Sequence, residues 1–290
     1  MRIHHLNCVS SCPLGGRLMD GRSPSSLQRG ELCCHCLLVE TPADGLVLVD
    51  TGFGLRDVQD PASRLSGFFL KLLSPDFRDD MTAVRQVEKL GFRAADVRHI
   101  VLTHLDFDHA GGLDDFPHAT VHLSQPERDH AVLQKTWMDR QRFRPQQWSS
   151  RNRWQVHGGP GGDTWFGFDG VRSGHGLPAD IALVPLVGHT FGHAGVAVKS
   201  AGRWLLQAGD AYFFHREMDL DRPWCTPGLR LYQTMLEKSR ASRLLNQRRL
   251  RELRRDHAAE VEVFCSHDPV EFERLARHRI GRPATAGEGR

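Results

Sequence analysis

The chain has 290 residues, of which 40% are apolar and 25% charged; these values are typical of a globular protein and exclude a disordered or fibrous chain. The net charge of +3 is too small to indicate a nucleic-acid partner, and the apolar runs fall far short of the roughly 18 residues that cross a membrane. Seven cysteines at low density, and an N-terminus without a basic and then apolar leader, favour a reduced, cytoplasmic location.

Short apolar runs bounded by Gly, Pro or Asp predict β-strands along the chain. The strands are expected at about 2–7, 32–40, 46–50, 99–102, 119–122, 181–187, 194–199, 204–208 and 261–264. Helical periodicity predicts a helix after Asp80 that stops at Gly91, and another after Ser124, which forms a capping box with Glu127. Further helices are expected within 229–258 and at 270–278, and the whole of 1–290 is expected to form one domain.

Two stretches lack a clear period and are expected to be irregular. Residues 61–78 mix Gly, Ser and Pro with Phe68 and Phe69, which suggests a loop that packs over something. Residues 136–176 are longer than a normal connection and contain tryptophans among arginines and glycines. This second stretch is either a surface excursion held by aromatic packing or a lid or wall beside a substrate.

Histidines and aspartates concentrate where the predicted strands end. The segment 104–109, His-Leu-Asp-Phe-Asp-His, follows one strand, and His189, Asp210 and His267 each follow another. A single histidine at a strand end is more often structural than a metal ligand. The joint pattern reverses that expectation, because burying several unpaired charges costs several kcal/mol unless a cation compensates them. Imidazole and carboxylate suit Zn²⁺, Mn²⁺ or Fe, and two such ions about 3.5–4 Å apart can hold a hydroxide.

With these motifs the sequence resembles the metallo-β-lactamase superfamily of metal-dependent hydrolases, nearest to its N-acyl-homoserine-lactonase-like branch. The resemblance rests on the segments 46–52, 104–112, 188–190, 209–210 and 266–268 and extends over about 32–275. It implies an α/β fold of the αββα type, in which two mixed sheets face each other, helices cover the outer sides and a metal pair lies at one edge. It also implies hydrolysis of an ester-like bond, with a lactone as the leading substrate, by a hydroxide held between two metals.

The resemblance further implies a role for each residue of the pattern. One metal would be bound by His104, Asp106 and His189, the other by Asp108, His109 and His267, with Asp210 bridging them and Asp50 steadying the ligand loop. Most of the family has histidine in place of Asp106, and a carboxylate there favours Mn²⁺ or Fe more than a histidine-rich pocket would. Zinc is expected, with manganese or iron as alternatives.

Tyr212, Asp108 and His193 are given roles in the reaction or in support of the metal ligands. Lactonases of this branch place a tyrosine shortly after the bridging aspartate, and Tyr212 follows Asp210 by two residues. Tyr212 is expected either to contact the substrate or to pack as an ordinary aromatic residue. Either Asp108 or the metal that holds the leaving oxygen is expected to manage the proton when the intermediate collapses. His193 is expected to support the ligands rather than to bind metal.

Several alternatives stay open. The same metal pair could hydrolyse a thioester, a phosphodiester or a β-lactam, and Asp106 also suggests a metal-dependent oxidoreductase. The basic stretch 230–255 could contact nucleic acid, but it also has Leu244, Leu245, Leu250 and Leu253 as an inward apolar stripe, which favours a solvated helix. We expect a small-molecule substrate and neither a nucleic-acid nor a membrane partner, with the oligomeric state open and a homodimer as one alternative.

Overall fold

Two six-stranded β-sheets form the centre of the computed structural model, which describes residues 1–148, 153–159 and 161–277. In order across the first sheet, the strands are β1 (Arg2–Asn7), β2 (His35–Glu40), β3 (Leu46–Val49), β4 (Val97–Val101), β5 (Thr120–Ser124) and β6 (Trp154–His157). In chain order, the strands of the second sheet are β7 (Asp163–Trp165), β8 (Phe168–Ser173), β9 (Ile181–Pro185), β10 (Ala194–Ser200), β11 (Arg203–Gln207) and β12 (Val261–Phe264). Both sheets are mixed: β3 to β6 pair in parallel, as do β11 and β12, and the other pairs are antiparallel.

All helices but the last one, which follows the last strand, lie between strands in the chain. The helices are α1 (Arg17–Asp20), α2 (Leu55–Gln59), α3 (Pro61–Arg64), α4 (Gly67–Leu73), α5 (Ala83–Lys89), α6 (Phe107–Ala110), α7 (Gln125–Leu133), α8 (Trp137–Arg142), α9 (Pro227–Leu236), α10 (Arg240–Asp256) and α11 (Pro269–Ala276). Ser124 accepts a hydrogen bond from the Glu127 amide, so one half of the predicted capping box of α7 is present. The other half is not, because the Glu127 carboxylate accepts from the Leu105 amide and the Thr190 hydroxyl instead. Within the described ranges, no helix is both long enough and apolar enough to span a membrane.

Strand alternation explains how the layers pack. Val47 and Val49 of β3 contact Leu183 of β9 and Val196 of β10 in an apolar layer between the two sheets. The opposite faces of the same strands, with Leu48 among their residues, pack against the helices of the first sheet. Leu250 and Leu253 of α10 cover the outer face of the second sheet in the same way. The expected αββα sandwich is therefore confirmed.

The stretch 136–176 is more ordered than the sequence suggested. It contains α8 and three strands, of which β6 extends the first sheet beside β5 and β8 extends the second beside β9. Glycines in the left-handed region, such as Gly162 and Gly167, join these short strands and interrupt any period that the sequence could reveal. Residues 149–152 and 160, and His278 at the end of the last predicted helix, lie outside the described residues.

Two other expectations are corrected. Residues 61–78 are largely helical, because they form α3 and α4. On α10, Leu244 and Leu245 are 47% and 45% exposed, so they do not belong to the inward stripe. The buried face instead carries Arg243, Asn246, Gln247, Leu250 and Leu253, whose spacing of three and four residues matches a helical period.

Candidate metal centre

The carboxyl ends of β4, β9, β11 and β12 meet at one edge of the sandwich and bring seven histidine and aspartate side chains together. These are His104, Asp106, Asp108, His109, His189, Asp210 and His267, each at most 6% exposed. Strands β9 and β11 each pair antiparallel with β10, and β12 is parallel to β11, so their ends necessarily point the same way. The topology thus explains why residues far apart in the chain converge here.

Four of these side chains form the group that we name cage 1: His104, Asp106, His189 and Asp210. The Asp106 Oδ2 atom lies 3.3 Å from His104 Nε2 and 3.0 Å from His189 Nε2. The Asp210 Oδ2 atom lies 3.8 Å from His104 Nε2 and 3.3 Å from His189 Nε2. A tetrahedral metal with bonds of about 2.1 Å separates its ligand atoms by roughly 3.4 Å, which matches these distances.

The second group, cage 2, consists of Asp108, His109, His267 and the other oxygen of Asp210. The Nε2 atoms of His109 and His267 lie 3.3 Å apart, and Asp210 Oδ1 is 3.3 Å from the former and 3.1 Å from the latter. Asp108 closes the group at 3.9 Å from His109 Nε2 and 3.7 Å from His267 Nε2. Asp210 therefore offers one oxygen to each cage, as a bridging carboxylate does.

Buried polar atoms without hydrogen-bond partners point into these cages. They include His104 Nε2 and Asp210 Oδ1. Leaving such atoms unpaired costs about 1–3 kcal/mol each, so native proteins rarely tolerate them without a bound group. Together with the ligand spacing and the mixed nitrogen and oxygen donors, they indicate that these residues fit a pair of divalent cations.

Hydrogen bonds behind the cages fix the histidine tautomers. The Asp50 Oδ2 atom accepts from His109 Nδ1 at 2.8 Å and from the Thr103 hydroxyl at 2.8 Å. The Thr103 oxygen accepts in turn from His104 Nδ1 at 2.9 Å, and His267 Nδ1 donates to the Cys33 carbonyl at 2.7 Å. With Nδ1 protonated, each of these rings presents a bare Nε2 to its cage, which metal binding requires.

His193 also supports the site from behind. Its Nδ1 donates to the Leu186 carbonyl at 2.9 Å, and its Nε2 accepts from the Asp210 amide at 2.9 Å. Burial, together with His189, lowers the pKa of His193 to about 3, so the ring stays neutral and can accept this bond. His193 thus takes the supporting position that its spacing suggested.

A buried arginine that the sequence did not single out completes cage 1. Arg142, the last residue of α8, is 0% exposed and donates to both oxygens of Asp106, at 2.6 Å from Nε and 2.5 Å from Nη2. Although burial raises the pKa of the Asp106 carboxyl, the positive charge of the Arg142 guanidinium outweighs it and holds that pKa well below its usual range. Asp106 therefore enters the cage ionised and already paired.

Tyr212 does not reach the cages, and the expectation that it contacts the substrate is corrected. Its hydroxyl donates to the Glu271 carboxylate at 3.0 Å, and its ring packs in the core beneath α10. The next residue, Phe213, lies on the other side of the chain and stacks on the His267 ring at 5.2 Å. Phe213, three residues after Asp210, thus faces the cages, whereas Tyr212, two residues after it, faces away.

The buried pair of Tyr212 and Glu271 predicts a pH dependence of stability. Burial, reinforced by Asp268, raises the pKa of Glu271 to about 7, compared with about 4.3 when unfolded. The folded state binds this proton more tightly, so the contribution is present below about pH 4 and is lost as the pH rises through about 7. Relative to Glu271→Gln, the native chain should lose on the order of 3 kcal/mol of unfolding free energy over that range. Urea unfolding of both chains at several pH values tests this, and parallel pH profiles would contradict it.

The second tyrosine of the chain lies close to the cages instead. Tyr232 on α9 is 8% exposed and packs edge-on against Phe213 at 5.6 Å. Burial and then the carboxylates of Asp108, Asp210 and Asp106 raise the pKa of Tyr232 well above its usual value, which places it within their field and keeps it protonated. No sequence pattern pointed to Tyr232, because it lies on α9, far along the chain from Asp210.

One cysteine also lies at cage 2. Cys34 forms a group with Asp108 and His267 whose possible ligand atoms all lie within 4.8 Å of one another. Burial raises the pKa of the Cys34 thiol to about 11, so it is protonated in the absence of a cation. Cys33 and Cys36 are also buried.

The chain matches the model of the metallo-β-lactamase superfamily over residues 29–267. It is 42% identical over 278 residues to a probable metallo-hydrolase of Mycobacterium tuberculosis, an alignment that covers 96% of this chain and 83% of the relative. The match therefore includes all seven side chains of the two cages.

Solved structures with the same fold include lactonases. An N-acyl homoserine lactone hydrolase with the product N-hexanoyl-L-homoserine bound at its catalytic metal centre superposes with a TM-score of 0.68 at 18% identity, covering 95% of this chain and 96% of that one. A dizinc quorum-quenching lactonase superposes with a TM-score of 0.58 at 17% identity, covering 91% and 86%. At these identities the likeness shows the fold.

Proposed function

Because the chain belongs to the metallo-β-lactamase superfamily and is a metallo-hydrolase, we propose that it hydrolyses the ester bond of a lactone at a pair of divalent metal ions. The observation that carries this proposal is the pair of cages that share Asp210, one oxygen in each. The fold likeness to lactonases, one of them with a ring-opened product at its metal centre, favours a lactone over the other ester-like bonds.

The proposed reaction adds water across the ring ester and gives a hydroxy acid. When bound, two divalent ions supply a water of lowered pKa and a positive field for the developing oxyanion. His104, Asp106 and His189 would hold the ion of cage 1, Asp108, His109 and His267 that of cage 2, and Asp210 both. Asp50 keeps the His109 ring in the required tautomer throughout.

The substrate is proposed to approach from the side of cage 2. Asp108 at 6% and His267 at 4% are the most exposed of the seven side chains. On that side the Tyr232 hydroxyl would donate to the carbonyl or leaving oxygen, and the Asp108 carboxylate would hold the proton that passes to the leaving oxygen. Phe213 forms an apolar wall by stacking on His267.

We propose zinc as the metal, with manganese or iron as alternatives. The carboxylate of Asp106 would favour a harder metal, but its charge is compensated by the Arg142 guanidinium. The same ion pair weakens the argument for an oxidoreductase, because that alternative was based on the negative charge of Asp106. Two nitrogens and two oxygens in a nearly tetrahedral arrangement suit zinc well.

A substrate panel with metal analysis tests the proposal. Acyl-homoserine and aliphatic lactones, thioesters, phosphodiesters and β-lactams are offered to the zinc-loaded chain, and ring opening is followed by the acid released. We expect the highest kcat/KM on a lactone. A higher kcat/KM on any other class would show that the lactone is not the preferred substrate. Oxygen consumption by iron-loaded protein without hydrolysis would show that the chain is an oxidoreductase and not a hydrolase.

The two tyrosines of the chain give a matched test of which one assists the reaction. Tyr232→Phe removes the hydroxyl that is proposed to donate to the reacting oxygen and should lower kcat about 100-fold with metal content unchanged. Tyr212→Phe removes only the bond to Glu271 and should lower the melting temperature while leaving kcat within about twofold. Steady-state kinetics with calorimetry on both variants decides, and the reverse order of effects would show that Tyr232 does not contact the substrate.

A further inference from the structure

Arg142 contacts two of the four atoms of cage 1 that a metal would use. Its Nη2 lies 2.5 Å from Asp106 Oδ2 and 2.6 Å from His189 Nε2, while Nη1 donates to the Leu236 carbonyl at 2.8 Å. Asp106 Oδ2 and His189 Nε2 are themselves only 3.0 Å apart. The guanidinium therefore lies across one edge of the cage.

The charge of Arg142 cannot be removed by deprotonation, because a guanidinium stays protonated in proteins. Burying it costs several kcal/mol unless carboxylates and carbonyls surround it. Asp106 and the carbonyls of His189 and Leu236 meet this need, and the Leu236 carbonyl belongs to the negative end of α9. Arg142 is thus held firmly, with its position independent of any bound ion.

Cage 2 has no comparable cation among the side chains whose contacts with it are described above. Its members pair with one another and with Asp50 and the Cys33 carbonyl. A divalent ion in cage 1 must therefore approach a fixed positive charge and take His189 Nε2 away from Arg142, whereas an ion in cage 2 meets neither cost.

We propose that Arg142 acts as a resident cation of cage 1, so that the two metals bind with unequal affinity and cage 1 is the weaker site. Arg142 is a positioning residue in this account: it keeps Asp106 and His189 in place before the metal enters and lowers the affinity of the site for that metal. This inference rests on the two cages being metal sites, as proposed above.

Zinc titration of the metal-free chain tests the inference, with a chromophoric chelator as competitor and metal analysis after dialysis. In the native chain, the first equivalent should bind at least tenfold more tightly than the second. Arg142→Met should raise the affinity for the second zinc equivalent at least tenfold and leave the affinity for the first nearly unchanged. An increase in zinc affinity is informative, because simple structural damage would lower that affinity.

Two further variants complete the design. Arg144→Met, two residues along, removes an arginine that donates to the Arg64 and Arg140 carbonyls, and should leave both affinities unchanged. Should Arg142→Met fail to fold without metal, the double variant Asp106→His/Arg142→Met removes the buried carboxylate together with its guanidinium partner, and its second equivalent should also bind more tightly than that of the native chain.

The outcomes separate this inference from the proposed function. Two zinc ions of equal affinity in the native chain, or a weaker second site in Arg142→Met, would overturn the role of Arg142 and leave the metal pair intact. A native chain that binds neither zinc, manganese nor iron would overturn the proposed function itself.

Discussion

Replacing Asp210 by asparagine should lower kcat/KM on the best lactone about a thousandfold and reduce the bound metal below two ions per chain. The carboxylate offers Oδ2 to His104 and His189 in cage 1 and Oδ1 to His109 and His267 in cage 2. An amide presents a neutral NH₂ group to one of the cages and removes a negative charge from both, so neither ion keeps its bridging ligand. Kinetics and metal analysis on the same preparations measure the effect.

Asp219→Asn is the matched control for this variant. Asp219 is an exposed aspartate a short distance along the chain that pairs with Arg216 at the surface. Its replacement should leave both turnover and metal content unchanged. An Asp210→Asn chain that retains two metals and full turnover would show that the bridging role assigned to Asp210 is wrong.

Asp50→Asn should lower the affinity for metal by about 10- to 100-fold, mainly in cage 2. The native carboxylate accepts from His109 Nδ1, whereas an amide NH₂ at that place donates and forces the ring into the other tautomer. Its Nε2 then carries a hydrogen that points into the cage. Zinc titration measures the loss, and excess zinc should restore much of the activity, which distinguishes this variant from Asp210→Asn.

Asp44→Asn, at the turn before β3, controls for the loss of an aspartate near the same strand, since Asp44 only accepts from the Ala179 amide. It should bind both zinc ions as the native chain does. An Asp50→Asn chain with native zinc affinity would mean that the orientation of His109 does not depend on Asp50.

Most of the fold and the seven cage residues could be predicted because the signals are local. A short apolar strand followed by His or Asp marks a ligand at a strand end, and β1 and β12 begin and end where the apolar runs do. The short strands β6 to β8 could not be predicted, since glycines and arginines interrupt them and their pairing depends on sheets already formed.

The residues that the sequence missed act over long separations. Asp106 indicates that a countercharge is needed, but no local pattern selects Arg142 from the 38 lysines and arginines of the chain. Likewise, Tyr232 on α9 contacts Phe213, which stacks on His267, while Tyr212 has the more suggestive spacing and faces the other way. Only the packing of the helices against the first sheet decides which tyrosine lies near Asp108.

Anomalous X-ray scattering from crystals grown with saturating zinc tests the central claim most directly. We expect two peaks about 3.5–4 Å apart, one bounded by His104, Asp106 and His189 and the other by Asp108, His109 and His267, with Asp210 between them. Zinc peaks elsewhere on the chain, with none inside the ring of these seven side chains, would contradict the account.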